Sequence, residues 1–256
     1  RDQIDASIAI IGSELITGII AYLIGRFVIG FNRGALGTFI LASTFGSISM
    51  MGTSLIQVVF PNNVEALATG ITISQLAVGL PINTIGVAIA LWFGSQSSKV
   101  DLAHIFKTFI LNPPVIAFIV GSLWSLFSLP HTGFLLTIFF GALQFSGISL
   151  TFLVALLTGL TMKRMERKDF GLPLFTCALL LLVVQPVIAY KLDAVTGNIE
   201  SMTSVLLLLL GAMPASPLVI AYSVRYGCDS DLASKLVVST CVISIFTLPI
   251  LAYVYF

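Results

Sequence analysis

Charge is what this sequence has least of. Only 9% of its 256 residues are Asp, Glu, Lys or Arg, against roughly 25% in an ordinary soluble domain. A soluble chain of this length needs a polar exterior, and so few charges exclude one. Histidine is nearly absent, with only His104 and His131, both in connections between apolar runs. The three cysteines, Cys177, Cys228 and Cys241, show neither a disulfide framework nor metal-ligand spacing. A net charge of +1 offers no basic surface for nucleic acid. No signal-peptide pattern stands at the start, and the chain begins with Arg1 rather than Met, as expected of a fragment or a processed product.

What is present is apolar. Hydrophobic residues make up 57% and the mean hydropathy is +1.08. A helix needs about 20 mainly apolar residues to cross the hydrocarbon of a bilayer. Gly34–Val64, Ala66–Ser98, Phe170–Tyr190, Ser201–Val224 and Leu236–Phe256 all reach that length without a charge. The uncharged run Thr108–Met162 has room for two spans, divided at Ser128–Gly133 by a Pro-His-Thr-Gly turn signal. Ala6–Gly25 adds one more, interrupted only by Glu14. The expectation is an all-α membrane protein of about eight spans: 6–27, 34–60, 65–95, 107–128, 133–162, 170–190, 201–224 and 232–256. Barrel strands would alternate over roughly ten residues, and these runs do not. Ten of the 12 Lys and Arg residues then fall on one side, so the loops 96–106 and 163–169 are expected in the cytoplasm and both termini outside.

Two spans break the apolar rule. The second carries Gly46 and Gly52 among six hydroxyl residues from Ser43 to Ser54. The seventh carries Gly211-Ala212-Met213-Pro214-Ala215-Ser216-Pro217. Proline removes a backbone donor and clashes with the preceding turn, and in lipid the freed groups must face protein, water or a ligand. A helix restarting at mid-membrane presents N–H groups and partial positive charge, which suits an anion. The plain alternatives are a structural proline kink and close packing of small residues. The second and seventh spans lie five apart and so run in opposite directions, as in inverted repeats whose broken helices meet at the midplane. The chain divides accordingly into 1–98, with three helices, and 99–256, with five.

Glu14 is the one charge well inside a span. Such a residue is costly there and reads as a proton- or cation-coupling group, or else as a structural or interfacial one. Gln57, Gln75, Asn83, Asn112, Gln144 and Gln185 read as links between helices. Gly147-Ile148-Ser149 resembles a nucleophile motif, but no span supplies a histidine base, so an intramembrane enzyme is disfavoured.

Three stretches carry a family likeness: Ile110-Leu111-Asn112-Pro113-Pro114 with Gly121, then Ala212-Met213-Pro214 through Arg225-Tyr226-Gly227 to Asp231-Leu232-Ala233, and Thr247-Leu248-Pro249. In these the sequence resembles the auxin efflux carrier family, the PIN-like permeases of plants and bacteria. The resemblance implies ten helices in two inverted five-helix repeats, a fold related to bile-acid-type sodium symporters. It further implies a homodimer and elevator-like motion. An organic carboxylate would sit where the broken helices cross, at Gly46-Ser47 and Pro214-Ala215, and no cofactor or metal is implied. Plant members often have Pro-Asn at the first crossing, so auxin itself is not the expected substrate. The family's first two helices have no counterpart before Arg1.

The expected binding residues are therefore Ser43, Gly46, Ser47, Ser49, Ser54, Met213, Pro214, Ala215 and Ser216, with Glu14 for coupling. Backbone N–H groups would hold a small organic anion and hydroxyls would orient it. The expected partners are that anion, the lipid of a cytoplasmic-type or plasma membrane, and a second copy of the chain. A receptor that keeps the fold without transporting is the alternative.

Overall fold

The computed structural model describes residues 2–94, 107, 110–111, 113–130, 133–161, 171–195 and 202–255. The loops 96–106 and 163–169, with His104, Asn112 and His131, lie outside the described residues. Within them the chain is helical, without a strand.

Helix α1 (Asp2–Leu23) continues through the wide turns Ile24–Ile29. Helix α2 (Arg33–Thr44) begins where Asn32 Oδ1 accepts from the Ala35 N–H at 2.9 Å. This satisfies one of the donors that a helix start leaves orphaned. The chain is extended at Phe45, then recoils through Ile48–Gly52 into α3 (Thr53–Val59). Asn63 repeats the cap for α4 (Val64–Ser74), accepting from Ala66 N–H at 2.9 Å. Wide turns at Gln75–Gly79 and Ile82–Gly86 lead into α5 (Val87–Phe93). They flank Pro81, whose ring and missing N–H forbid regular turns there.

Helices α6 (Pro113–Leu126) and α7 (Phe134–Thr161) follow. Next come α8 (Leu172–Leu179) and α9 (Gln185–Val195), joined through Leu180–Val184. Helix α10 (Met202–Gly211) stops before Pro214, and α11 (Leu218–Tyr226) starts after Pro217. Gly227, with φ +76°, closes α11 in the left-handed conformation that glycine adopts without a Cβ penalty. Helix α12 (Ser230–Tyr255) ends the described chain.

Four continuous helical stretches are long and apolar enough to cross a membrane: Gln3–Ile29, Val64–Phe93, Leu172–Val195 and Ser230–Leu251. The expected second and seventh spans are each split into two short helices. The sixth stretch runs five residues past its expected end at 190, taking Lys191 and Asp193 into the helix. Asp193 stays buried there because the Ser204 hydroxyl of α10 donates to its Oδ2 at 2.7 Å.

Two apolar cores hold these helices. One gathers Phe39, Leu41 and Phe45 with Val87, Leu181, Val219, Ile220 and Leu236. The other gathers Ile10 with Ile48, Ile56, Ile73, Leu206, Leu210 and Met213. Each core takes one half of each broken helix: α2 and α11 in the first, α3 and α10 in the second. The breaks lie at the junction between them. Large apolar side chains such as Phe27, Val58, Phe134, Leu160 and Tyr253 stand exposed on the outside. Such an exterior has hydrocarbon as its proper solvent.

Candidate functional site at the crossing of the broken helices

The two breaks meet. Gly46 and Ala215 lie opposite each other in a single antiparallel bridge. Ser47 N–H donates to the Pro214 carbonyl at 2.6 Å, and Ser216 N–H donates to the Phe45 carbonyl at 2.9 Å. Each half-helix therefore finds its missing backbone partner on the other broken chain. That resolves locally what would otherwise be orphaned polar groups inside an apolar body.

Close approach requires small residues. A Cβ built on Gly46 would lie 3.2 Å from the Met213 carbonyl oxygen and 3.4 Å from Met213 Cβ. Pro214 contributes by what it lacks, since without an N–H it cannot extend α10. Pro217 sets the entry of α11, where Leu218 N–H reaches the Ser216 hydroxyl at 3.4 Å. Ala215 N–H donates to Thr240 Oγ1 of α12 at 3.1 Å. Thr240 in turn donates back into its own helix, 2.9 Å from both the Leu236 and Val237 carbonyls.

Of the expected binding residues, Gly46, Ser47, Met213, Pro214, Ala215 and Ser216 come together here, all buried. Ser43 is buried one turn before the break, beside the Cys177 thiol of α8. Ser49 falls in the turn Ile48–Gly52, and its side chain is outside the described set. Ser54 does not join the others: it lies on α3 with its side chain exposed. The seven-residue step from Ser47 to Ser54 is broken by a widened turn, so it no longer returns to one face.

The donors also differ from expectation. In this arrangement the N–H groups of Ser47, Ala215 and Ser216 are taken by protein oxygens. The hydroxyls of Ser43, Thr44 and Ser47 are buried without a hydrogen-bond partner. An anion at this point would meet hydroxyl donors first. Buried hydroxyls left unsatisfied are uncommon in folded proteins and call for an explanation.

Two further contacts tie α11 to its surroundings. Tyr222 OH donates to Asn83 Oδ1 at 2.6 Å, and Asn83 Nδ2 donates to the Gly79 carbonyl at 2.7 Å within the wide turns of the Val64–Phe93 stretch. Near the other end of α11, the Ser223 and Thr38 hydroxyls lie 3.2 Å apart. Sequence reading names Asn83 only as a helix link and gives Tyr222 and Thr240 no role. Among the described residues no cluster of His, Cys, Asp and Glu could hold a metal ion.

A helical body with an apolar exterior and interrupted helices crossing inside it is an integral membrane protein. Comparison with protein families narrows this: the family described as membrane transport protein matches residues 102–252, more than half of the chain. The chain belongs to that family, which is that of the auxin efflux carriers. No curated protein matches it.

Proposed function

We propose that the protein is a secondary permease for small organic anions such as carboxylates, and that the crossing is its substrate site. The observation that carries this is the reciprocal pair of backbone bonds, Ser47 to Pro214 and Ser216 to Phe45, with unpartnered hydroxyls beside it. Two half-helices restart there, at Ile48 and Leu218, and their N-terminal ends favour negative charge. The Ser43 and Ser47 hydroxyls then orient the carboxylate.

In this reading the helical stretches form eight spans, three in residues 1–98 and five in 99–256. They are parts of two inverted five-helix repeats whose first two members precede Arg1. The asymmetry of Lys and Arg puts the 96–106 and 163–169 loops in the cytoplasm and both termini outside. Transport proceeds by elevator-like motion of the crossing against a scaffold in a homodimer, the family's implied arrangement.

Uptake of labelled carboxylates into proteoliposomes tests the proposal. Ser47→Ala should lower flux about tenfold or more, the cost of losing one hydrogen bond to a charged group. Carboxylate flux that ignores Ser47→Ala and Ser43→Ala together removes the crossing as the site. Carboxylate binding without any flux would instead favour a receptor that keeps the fold.

A further inference from the structure

Glu14 is buried, 2% exposed, and neither carboxylate oxygen has a partner. With Gly18, Thr44 and Phe45 it lines a cavity of about 280 Å³ whose remaining walls are almost wholly apolar. Thr44 is the last residue of α2, 4% exposed, with its own hydroxyl unpartnered. The Gly18 face of α1 lies directly against that hydroxyl, since a Cβ there would stand 3.2 Å from Thr44 Oγ1. Thr17, buried on the same helix, is a third side chain with an unsatisfied oxygen. Every polar atom gathered here is oxygen.

The backbone fixes the sign of the charge that fits. Helix α2 ends at Thr44, and a helix C-terminus carries partial negative charge. Ser47 N–H, which would have continued the helix onto the Ser43 carbonyl, goes to Pro214 instead. A carboxylate facing the C-terminal end of a helix repels anions and attracts a cation. Divalent ions ask for several carboxylates or a larger ligand set, whereas one carboxylate with neutral oxygens matches a single positive charge. A proton on Glu14 would neutralise it, yet leave the Thr17 and Thr44 oxygens as they are.

We propose that Glu14 and Thr44 form a site for a small alkali cation, adjoining the crossing on the α1 side. The site stands on its own geometry. Its role as the coupling ion rests on the permease reading above, in which the cation at Thr44 and the anion at Ser47 are three residues apart and stabilise each other. Linkage then makes each raise the other's affinity by the same factor.

The test uses the purified protein in detergent, without any organic anion. Thermal unfolding is followed in sodium, lithium, potassium and choline chloride at equal ionic strength and fixed pH. Sodium or lithium should raise the midpoint saturably above that in choline. Thr44→Val should raise the half-saturating concentration about tenfold or more, as loss of one oxygen contact to a charge predicts. Thr44→Ser should keep the response, and Glu14→Gln should abolish it. Should Glu14→Gln not fold, binding of radioactive sodium to the unaltered protein, competed by the other three cations, decides the matter.

Equal midpoints in all four salts, with pH alone moving them, would mean a proton only and overturn the site. A sodium response untouched by the Thr44 and Glu14 variants would place the ion elsewhere and overturn it too. A panel of carboxylates in the same assay separates the two proposals. Stabilisation by carboxylate without a sodium response sinks the cation site and leaves the permease; the reverse sinks the permease and leaves the cation site.

Discussion

Replacing Gly46 by alanine adds one methyl group at the tightest point between the broken helices. The backbone at Gly46 is not in the left-handed region, so alanine meets no conformational penalty and the effect is steric. The new carbon would lie 3.2 Å from the Met213 carbonyl oxygen, closer than ordinary contact, and 3.4 Å from Met213 Cβ. The side chain can turn away, but the carbonyl oxygen cannot move without its peptide. That peptide joins Met213 to Pro214, whose own carbonyl accepts the 2.6 Å bond from Ser47. Relief of the clash therefore stretches the crossing. Overpacking of this kind costs about 1–3 kcal/mol, and weakening the bridge adds up to about 1 kcal/mol. Unfolding in mixed micelles should show Gly46→Ala destabilised by that amount, with Gly46→Val worse. The control has the opposite sign: a Cβ on Gly141, inside α7, meets nothing within 4 Å. Gly141→Ala should leave stability unchanged or raise it by up to about 1 kcal/mol through helix propensity. A Gly46→Ala protein as stable as its parent would refute the close approach on which the site is built.

Two more predictions concern the surroundings of the crossing. Thr240→Val leaves the buried Ala215 N–H without an acceptor, which should cost about 1–3 kcal/mol in the same unfolding assay, whereas Thr240→Ser should restore most of it. Cys228 lies in the loop between α11 and α12, where burial, helped by the nearby Asp229 charge, pushes its thiol up to about 11. At neutral pH its thiolate is then about a hundredfold scarcer than an ordinary cysteine's, and reaction with maleimide should be slow and climb steadily up to about pH 11. Rapid labelling at neutral pH would contradict that burial.

The helices were legible because lipid-scale apolar runs are long and uninterrupted by charge. The breaks were legible because Gly, Pro and hydroxyl residues crowd into two of those runs, at 43–54 and 211–217. Which atoms answer each other was not. The Ala215–Thr240 bond spans 25 residues and the Tyr222–Asn83 bond 139, and nothing local in α12 or α11 marks either partner. Ser54 shows the opposite failure. It belongs to the same hydroxyl-rich run as Ser47, but the recoil through Ile48–Gly52 changes the angular register and leaves it outside the group. The engagement of the crossing N–H groups likewise depends on which chain lies opposite, a property of packing rather than of spacing.

The frame at the centre of this molecule is joined by main chain alone. Neither bond between the broken helices uses a side chain, and the only side-chain requirement is smallness at position 46. Positions 43 and 47 can therefore change what they present to a solute while the scaffold beneath them keeps its shape. Selectivity and architecture are separable here, so a new cargo can be accommodated by one or two exchanges rather than by redesign of the fold.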